Sequence, residues 1–511
     1  MIASIRARLI LGAAALAFTA GASYAVPPPL VISGLSPFAG CFIGGEPGTN
    51  YLNAEVEPWV DVNPANANNV IAGWQQDRWS NGGARGLNSA FSMDGGVSWT
   101  RVQVPGINKC SGGTGEFNYD RATDPWIAIS PDGTAYFFSL AFNNDRPDRG
   151  GGINAMLVSR STTGGASWDA PKVLIRDTDG RAFNDKNAIT ADPFDSNYVY
   201  AVWDRLFDNT LPAQANRGDG VPNARARRKE AINRGGNVDN FRSYIGPAYF
   251  ARTVNGGASW EPARELYNPG PNAQTIANQV VVLKDGSVVN FYTEILHNGQ
   301  TSIGYLRSTD KGASFGPPTT AVKTSVTTNG TVTPDAKESV RDGNILFDVA
   351  VDRGNGNIYL VWQDGQKQNI DRVAFSMSTN NGVTWSAPVI INKTPASTNK
   401  LKTQAFVPSI EVGAGNKVYV TYYDFRNDTV AGGEMTDYWA ITCAVNCTTA
   451  ASWGNELRLT PTSFNILDAP VARGHFLGDY QGLVRQGSSV RAVFGIAIGP
   501  NLNEIVTSLI P

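Results

Sequence analysis

Short apolar stretches alternate with turn residues along almost the whole chain, and most of them come in pairs. The stretches are rich in Val, Ile, Tyr and Trp, which favour strands, and turn residues such as Pro131-Asp132-Gly133 join several pairs. The first members are Pro58–Val62, Pro125–Ile129, Ala188–Ala191, Gln279–Leu283, Leu346–Val351, Val407–Val412 and Phe476–Val484. The second members are Val70–Trp74, Thr134–Leu140, Tyr198–Trp203, Ser287–Thr293, Asn357–Trp362, Lys417–Tyr422 and Ser489–Ile496. The pattern predicts an all-β protein built from seven strand pairs.

A repeated eight-residue segment, here called the octet, follows most of these pairs. The third residue of the octet is Asp, Asn or Thr, the fifth is always Gly, and the eighth is Trp or Phe. Its five copies begin at Ser92, Ser161, Thr253, Ser308 and Ser378. This composition predicts a tight hairpin with positive φ and an aromatic side chain folded over the turn. We therefore expect structural roles for Asp94, Trp99, Trp168, Trp260, Asp310 and Trp385.

The octet resembles the Asp box (Ser-x-Asp-x-Gly-x-Thr-Trp, also called the BNR repeat) of the sialidase-like β-propellers. The resemblance implies four-stranded antiparallel blades, with each box on the hairpin between the two outer strands and away from the active face. Seven strand pairs then predict seven blades, and six, the number in true sialidases, is the alternative. The last blade lacks one strand, which Leu30–Leu35 could supply beside Glu504–Leu509, so that the two termini close the sheet.

The N-terminus predicts export. Residues 1–25 have two arginines, an apolar run and a small-residue end, which is typical of a cleavable signal peptide, so we expect a secreted or periplasmic protein with one domain over residues 26–511. Four cysteines in an exported chain favour disulfides. Cys443 and Cys447 lie where a sixth octet would fall, and a local bridge there leaves Cys41 and Cys110 as the other pair.

Charge and composition exclude several partners. A formal net charge of −2 argues against binding to nucleic acid, and no segment after the signal is apolar enough to insert into a membrane. We expect no metal and no cofactor, and a monomer. Residues 206–247 form an insertion with a basic run, Arg225 to Arg234, which predicts either a lid over an acidic glycan or a solvated helix without a ligand.

Polar and aromatic residues cluster where second strands end and first strands begin, which is the ligand face of a propeller. The strand exits include Trp74-Gln75-Gln76-Asp77-Arg78, Trp203-Asp204-Arg205 and Tyr422-Tyr423-Asp424-Phe425-Arg426. The strand entries include Arg473-Gly474-His475 and Asp479-Tyr480. Such side chains suit a charged sugar, with guanidinium groups for a carboxylate and aromatic faces for the ring. They could instead only cap strands and pair neighbouring blades.

The resemblance to sialidases implies specific roles. Asp77, slightly displaced from the family position, is the candidate acid/base, and Arg78 follows it. Tyr480 or Tyr422, with Glu294, stands for the Tyr–Glu nucleophile. Arg205, Arg426, Arg473 and Asp424 are candidate substrate-binding residues, and His475 is a candidate general base. The Arg-Ile-Pro motif of sialidases is absent, since the chain reads Val56-Glu57-Pro58-Trp59 there.

Three functions follow from these features. The first is a secreted glycoside hydrolase that cleaves terminal acidic sugars, and it needs no cofactor. The second is a non-catalytic glycan-binding or scaffold propeller. The third is a polysaccharide lyase on the same fold, with His475 or Tyr480 as base.

Overall fold

The strands assemble into consecutive antiparallel sheets. A computed structural model describes residues 27–143, 152–178, 181–208, 244–327, 330–366, 368–429 and 433–511. Sheet 1 contains Val56–Val62, Val70–Arg78, Ala84–Ser92 and Thr100–Gln103. Sheet 2 contains Arg121–Ile129, Ala135–Phe142, Asn154–Ser161 and Lys172–Asp177. Sheet 3 contains Ala182–Ala191, Val199–Asp208, Ala248–Thr253 and Arg264–Tyr267, with Tyr244–Ile245 paired to its second strand. Ala84 and Ala122 pair at one point and join sheets 1 and 2.

The remaining sheets repeat this order. Sheet 4 contains Gln274–Val282, Val288–Ile295, Thr301–Ser308 and Thr319–Thr324. Sheet 5 contains Phe347–Val351, Ile358–Asp364, Arg372–Ser378 and Val389–Ile390. Sheet 6 contains Ala405–Val412, Val418–Asp424, Met435–Cys443 and Gly454–Arg458, with Phe464–Asn465 beside its third strand. Sheet 7 contains Gly482–Gln486, Ser489–Gly499, Leu502–Ile510 and Leu30–Val31.

Each of the seven predicted strand pairs is an antiparallel pair in the structure. The strand predicted over Phe476–Val484 divides, because Gly474 and Gly478 take φ values of 128° and 130° that break the ladder. His475–Phe476 pairs in parallel with Val340–Arg341, and Gly482–Gln486 forms the first strand of sheet 7. Leu30 and Val31 pair with Thr507 and Val506, so the N-terminal segment joins the last sheet over two residues instead of six.

The first strands of successive sheets lie against one another, and the first strand of sheet 7 lies against that of sheet 1. Apolar side chains of neighbouring sheets pack between them and form the core. In the described ranges, helical structure is limited to short 3₁₀ turns at Lys109–Ser111, Gly115–Phe117, Lys400–Thr403, Ala414–Asn416, Ala450–Ser452 and Ile466–Asp468. No helix among the described residues is long and apolar enough to cross a membrane.

The octets form turns between the third and fourth strands. In the first octet, Ser98 N donates to Asp94 Oδ1 over 2.9 Å and Gly96 N donates to Ser92 Oγ over 2.8 Å. The eighth residue packs on the preceding sheet: Trp168 is 7% exposed, meets the Phe137 ring edge-on at 5.6 Å, and donates through Nε1 to Ser89 Oγ of sheet 1 over 3.1 Å. The aromatic residue therefore ties one sheet to the next.

Both predicted disulfides are present. Cys41 bonds to Cys110, and Cys443 bonds to Cys447. At the second bridge, Trp453 donates through Nε1 to the Cys447 carbonyl over 2.8 Å and packs against Phe375 of sheet 5. The bridge and Trp453 thus occupy the place of a sixth octet. The predicted signal peptide and the basic run of the insertion lie outside the described residues.

Candidate functional site

The candidate site begins with a bulge near the start of the first strand in five sheets. The register of each strand skips two residues there, and the first skipped residue has a positive φ between 47° and 59°. These residues are Glu57, Asp124, Lys186, Ala277 and Val407. Positive φ is uncommon for residues other than Gly, and for a β-branched Val it is an outlier. A bulge re-aims a side chain, and these bulges turn the charged groups of Glu57 and Lys186 toward each other.

Two carboxylates and two cations meet beside these bulges; we call this group the mouth cluster (Glu57, Lys186, Arg341 and Asp479). The Lys186 ammonium contacts Asp479 Oδ2 and lies 3.7 Å from Glu57 Oε1. Arg341 donates through Nε to Asp479 Oδ1 over 2.8 Å and through its terminal nitrogen to Oδ2. Glu57 is 1% exposed and Asp479 is 5% exposed. The cluster is therefore a nearly buried group of two carboxyl groups and two cations.

The two carboxyl groups have pKa values shifted in opposite directions. Burial raises the pKa of Glu57 to about 8, and the nearby Lys186 ammonium only partly offsets that effect. The pKa of Asp479 lies well below its usual range, because the charges and hydrogen bonds of Arg341 and Lys186 outweigh its burial. At neutral pH, Glu57 therefore holds a proton while Asp479 is ionised.

A second layer of polar contacts supports Glu57. Gln75 donates to Glu57 Oε2, and Arg78 donates to Gln75 Oε1 over 2.6 Å. The Arg78 and Arg341 guanidinium groups lie 4.8 and 4.3 Å from the centre of the Phe476 ring. Burial, followed by the charge of Arg341, lowers the pKa of Arg78 to about 10. Arg78 Nε is buried and has no hydrogen-bond partner.

Residues of the first strands line two cavities. The mouth cavity, of about 40 Å³, is lined by Lys186, Asp479 and Tyr480, and also by Asn187, whose Oδ1 is buried without a partner. The second cavity, here called the axial cavity, has a volume of about 250 Å³. Both are lined by Trp59, Trp126, Ala188, Gln279 and Asp348. The mouth cavity has room for about three water molecules, so a larger ligand would bind above it.

Aromatic rings form part of the walls of the two cavities. The Trp59 and Trp126 rings stack with centroids 3.4 Å apart, and Tyr480 lies 5.3 Å from Trp126. The Tyr480 hydroxyl donates to the Pro125 carbonyl over 3.3 Å, and burial raises its pKa well above the ordinary value. These rings offer an apolar surface next to the charged cluster.

Asp77 lies outside both cavities. Its side chain is fully buried, accepts from Ser36 Oγ over 2.6 Å and from Asn53 N over 2.8 Å, and lies 3.6 Å from Arg85 Nε. Its positive φ of 63° turns the carboxylate away from the neighbouring residue Arg78 and toward the N-terminal segment. Glu294 accepts from the Tyr267 hydroxyl over 2.7 Å and does not line either cavity.

The structure does not bring the four predicted arginines together. Arg205 pairs with Asp177 of sheet 2 and stacks on Tyr249, and Arg426 binds Asp424 and Glu456 within sheet 6. Only Arg78 belongs to the polar layer of the mouth cluster, and Arg473, which is exposed, acts on it electrostatically. His475 is buried, and its Nδ1 lies 3.2 Å from the Ala469 carbonyl.

Of the nine predicted catalytic or substrate-binding residues, Arg78 and Tyr480 adjoin the mouth cluster. None of the four mouth-cluster residues was among these nine, although Asp479 was expected at a strand entry on the ligand face. The sequence carried a signal for the bulge at Glu57. Glu57-Pro58, Asp124-Pro125 and Val407-Pro408 each place Pro inside a first strand, where Pro is tolerated at bulges. Arg341 lies in a connecting segment and had no such signal.

Comparisons with known proteins gave structural matches only. No family model matches the chain, and none of the curated proteins matches it. A Dyadobacter fermentans protein of unknown function is similar at 14% identity and a TM-score of 0.48, over 95% of this chain and 98% of that chain. A Hadza microbial sialidase is similar at 13% identity and a TM-score of 0.44, over 87% of this chain and 74% of its own. A Fusarium graminearum α-L-arabinofuranosidase is similar at 12% identity and a TM-score of 0.42, over 76% of this chain and 92% of that chain.

Proposed function

We propose that the seven sheets are the blades of one β-propeller, and that the mouth cluster lies on its ligand face. The ring of contacts among the first strands supports this arrangement, as does the pairing of Leu30–Val31 with the last sheet. This count favours seven blades over six. The two disulfides support export of the protein.

We propose further that the protein is a glycoside hydrolase, with the mouth cluster as its catalytic group. The observation that carries this proposal is the pair Glu57 and Asp479, two carboxyl groups with oppositely shifted pKa values that contact one ammonium group. Glycosidases use such a pair: a protonated acid donates to the glycosidic oxygen, and an ionised carboxylate attacks, activates water or stabilises positive charge on the sugar. Glu57 is suited to the first role and Asp479 to the second.

The surrounding side chains suit an acidic sugar. Arg78 lies beside the cluster and its Nε–H has no partner, and Arg473 acts on Arg78 electrostatically. Guanidinium groups bind the carboxylate of a sugar well. Trp59, Trp126 and Tyr480 provide an aromatic surface for the ring. The substrate class proposed here is therefore a terminal acidic sugar of a glycan.

A non-catalytic glycan-binding propeller is the second candidate. Both oxygens of Asp479 already accept from Arg341 or Lys186, as in a structural ion pair. This observation favours a fixed cluster that recognises sugar without reacting. The lyase has weaker support, because His475 Nδ1 lies against a carbonyl and the raised pKa of Tyr480 opposes its use as a base.

The test is a panel assay on the purified protein. Fluorogenic sialosides and uronic-acid polysaccharides would be screened with the wild type, Glu57→Gln, Asp479→Asn and the control Glu265→Gln, which changes an exposed carboxylate. Loss of a general acid lowers the rate by about 10² to 10⁴, so Glu57→Gln should lose most turnover while the control keeps it. Glycan binding without turnover in the wild type would favour the second candidate. Full activity of Glu57→Gln would exclude Glu57 as the acid.

A further inference from the structure

The connection between sheets 4 and 5 crosses the mouth of the ring; we call residues 330–346 the strap. Val340 and Arg341 pair in parallel with His475 and Phe476, which precede the first strand of sheet 7. The contact is close: a Cβ on Gly474 would lie 2.7 Å from the Arg341 backbone nitrogen. Gln404 binds the Val332 backbone through both its oxygen and its nitrogen. The strap is therefore seated between sheets 6 and 7.

The strap delivers Arg341 to the mouth cluster. Both Arg341–Asp479 hydrogen bonds depend on the position of the strap, because no strand of sheets 1 to 7 contains Arg341. Arg341 is also among the causes of the low pKa of Asp479. A displacement of the strap would therefore change the charge state and the position of Asp479.

Two buried carboxyl groups anchor the strap at its base. Asp342 follows Arg341 and is 6% exposed, and Asp371, which directly precedes the third strand of sheet 5, is 1% exposed. Thr331 connects them, donating through its backbone nitrogen to Asp342 Oδ2 over 2.6 Å and through Oγ1 to Asp371 Oδ2 over 3.0 Å. Gln363 Nε2 donates to the same Asp342 oxygen over 2.8 Å. Asp342 also lines the mouth cavity.

The charged neighbours of this pair are all engaged elsewhere. Arg341 and Lys186 bind Asp479, Arg372 donates to Thr403 Oγ1 over 3.0 Å, and Asp364 accepts from Trp362 Nε1 over 3.0 Å. Within the described part of the chain, neither Asp342 nor Asp371 has a Lys or Arg at ion-pair distance. Burial and then the charge of Asp342 raise the pKa of Asp371 to about 7, and burial raises the pKa of Asp342.

We infer that Asp342 and Asp371 do not both ionise below neutral pH, and that the proton retained by this pair keeps the strap, and through it Arg341, seated on Asp479. The two residues are then positioning residues for the proposed reaction, and only this consequence for turnover depends on the proposed function. Two buried carboxylates without a cation repel each other when both are ionised. The strap should therefore loosen when the pair loses its last proton and both carboxyl groups are ionised.

The direction of the pH effect follows from the raised pKa values. A carboxyl group whose pKa is higher in the folded protein than in the unfolded chain stabilises the fold while it is protonated. This stabilisation is fully present below the pKa of the unfolded chain, about 3.9 for Asp. It is lost as the pH rises to the pKa of the folded protein. For Asp371, the loss is complete above a pH of about 7. The strap should be firmly seated in mildly acidic solution and should open more often in alkaline solution.

Hydrogen–deuterium exchange of the full chain tests this inference. Protection of strap peptides, corrected for intrinsic exchange, would be measured between pH 5.5 and 8.5 in the wild type, Asp371→Asn and Asp348→Asn. Asp348 is a matched control because its pKa is also raised to about 7 while it accepts from Ile410 N, outside the strap. Wild type and Asp348→Asn should lose up to about tenfold protection per pH unit between pH 5.5 and about 7 and then level off. Asp371→Asn should not show this decline.

The inference fails if strap protection in the wild type does not change with pH, or if Asp371→Asn keeps the wild-type slope. If Asp371→Asn does not fold, Asp342→Asn takes its place in the experiment. The inference then predicts that Asp342→Asn lacks the wild-type pH dependence, and it fails if Asp342→Asn keeps it. Exchange is measured without substrate, so inactivity of the protein on every glycan would refute the proposed function and leave this result standing.

Discussion

Replacement of Glu57 by Gln should stabilise the protein in alkaline solution although it removes the proposed catalytic acid. In the fold, burial raises the pKa of Glu57 to about 8. In the unfolded chain the pKa of Glu is about 4.3. Folding therefore favours the protonated form, and the stability of the wild type declines as the pH rises between these two values. The amide introduced by Glu57→Gln carries no charge at any pH, so this group does not lower the stability of the variant as the pH rises.

The size of the effect follows from the shift. Each pKa unit corresponds to about 1.4 kcal/mol, so the difference between variant and wild type should approach an upper limit on the order of 5 kcal/mol at pH 9 and should be small near pH 5. The introduced amide oxygen can still accept from Gln75 in place of the Glu57 Oε2 atom, so that hydrogen bond is retained. Lost attraction to Lys186 reduces the gain but does not reverse it, since the net shift already contains that attraction.

The assay is urea unfolding of both proteins at pH 5, 7 and 9, with Glu265→Gln as the control. Other buried acids, such as Asp61 and Asp348, titrate in both proteins and cancel in the difference. The difference in unfolding free energy should grow with pH for Glu57→Gln and stay constant for the control. A difference that is flat with pH, or a variant that is less stable at pH 9, would show that Glu57 is ionised in the folded protein at neutral pH.

Three further predictions concern an octet aromatic residue, Asp77 and the predicted arginines. Trp168→Ala removes a buried aromatic residue that ties sheet 2 to sheet 1, so chemical denaturation should show that the unfolding free energy falls by about 3 kcal/mol or more. Any activity should fall only as the folded fraction falls, and a folded but inactive variant would indicate a chemical role. Asp77→Asn should weaken the attachment of the N-terminal segment by about 1–3 kcal/mol in the same assay and leave turnover per folded molecule intact, whereas lost turnover in a stable variant would restore Asp77 as acid/base. Arg205→Met and Arg426→Met should leave the KM for an acidic glycan unchanged, while Arg78→Met should raise it; equal effects would contradict the assignment of Arg205 and Arg426 to Asp177, Asp424 and Glu456.

The strands and turns could be predicted from sequence because they depend on local patterns. Alternation and β-branched residues define each strand pair, and the octet Gly supplies the positive φ that its turn requires. The divided strand at His475–Phe476 was missed, because its partner Val340–Arg341 lies far away in the chain.

The site was harder to predict because backbone conformation decides where its side chains point. Asp77 and Arg78 are neighbours at a strand end, yet the positive φ of Asp77 sends the carboxylate to the N-terminal segment, while Arg78 reaches Gln75. The mouth cluster joins residues 57, 186, 341 and 479, which no local motif connects. The sequence showed the bulge prolines and the strand entry at Asp479-Tyr480, but not the residues that Asp479 meets.

The pH dependence of kcat/KM for a hydrolysed acidic glycan, in the wild type and in Glu57→Gln, tests the central claim most directly. If Glu57 is the acid, wild-type kcat/KM should fall about tenfold per pH unit above a pKa near 8. Glu57→Gln should show much lower activity without that alkaline decline. An alkaline decline of the same midpoint in Glu57→Gln would contradict the claim, because the titrating acid would then be another group.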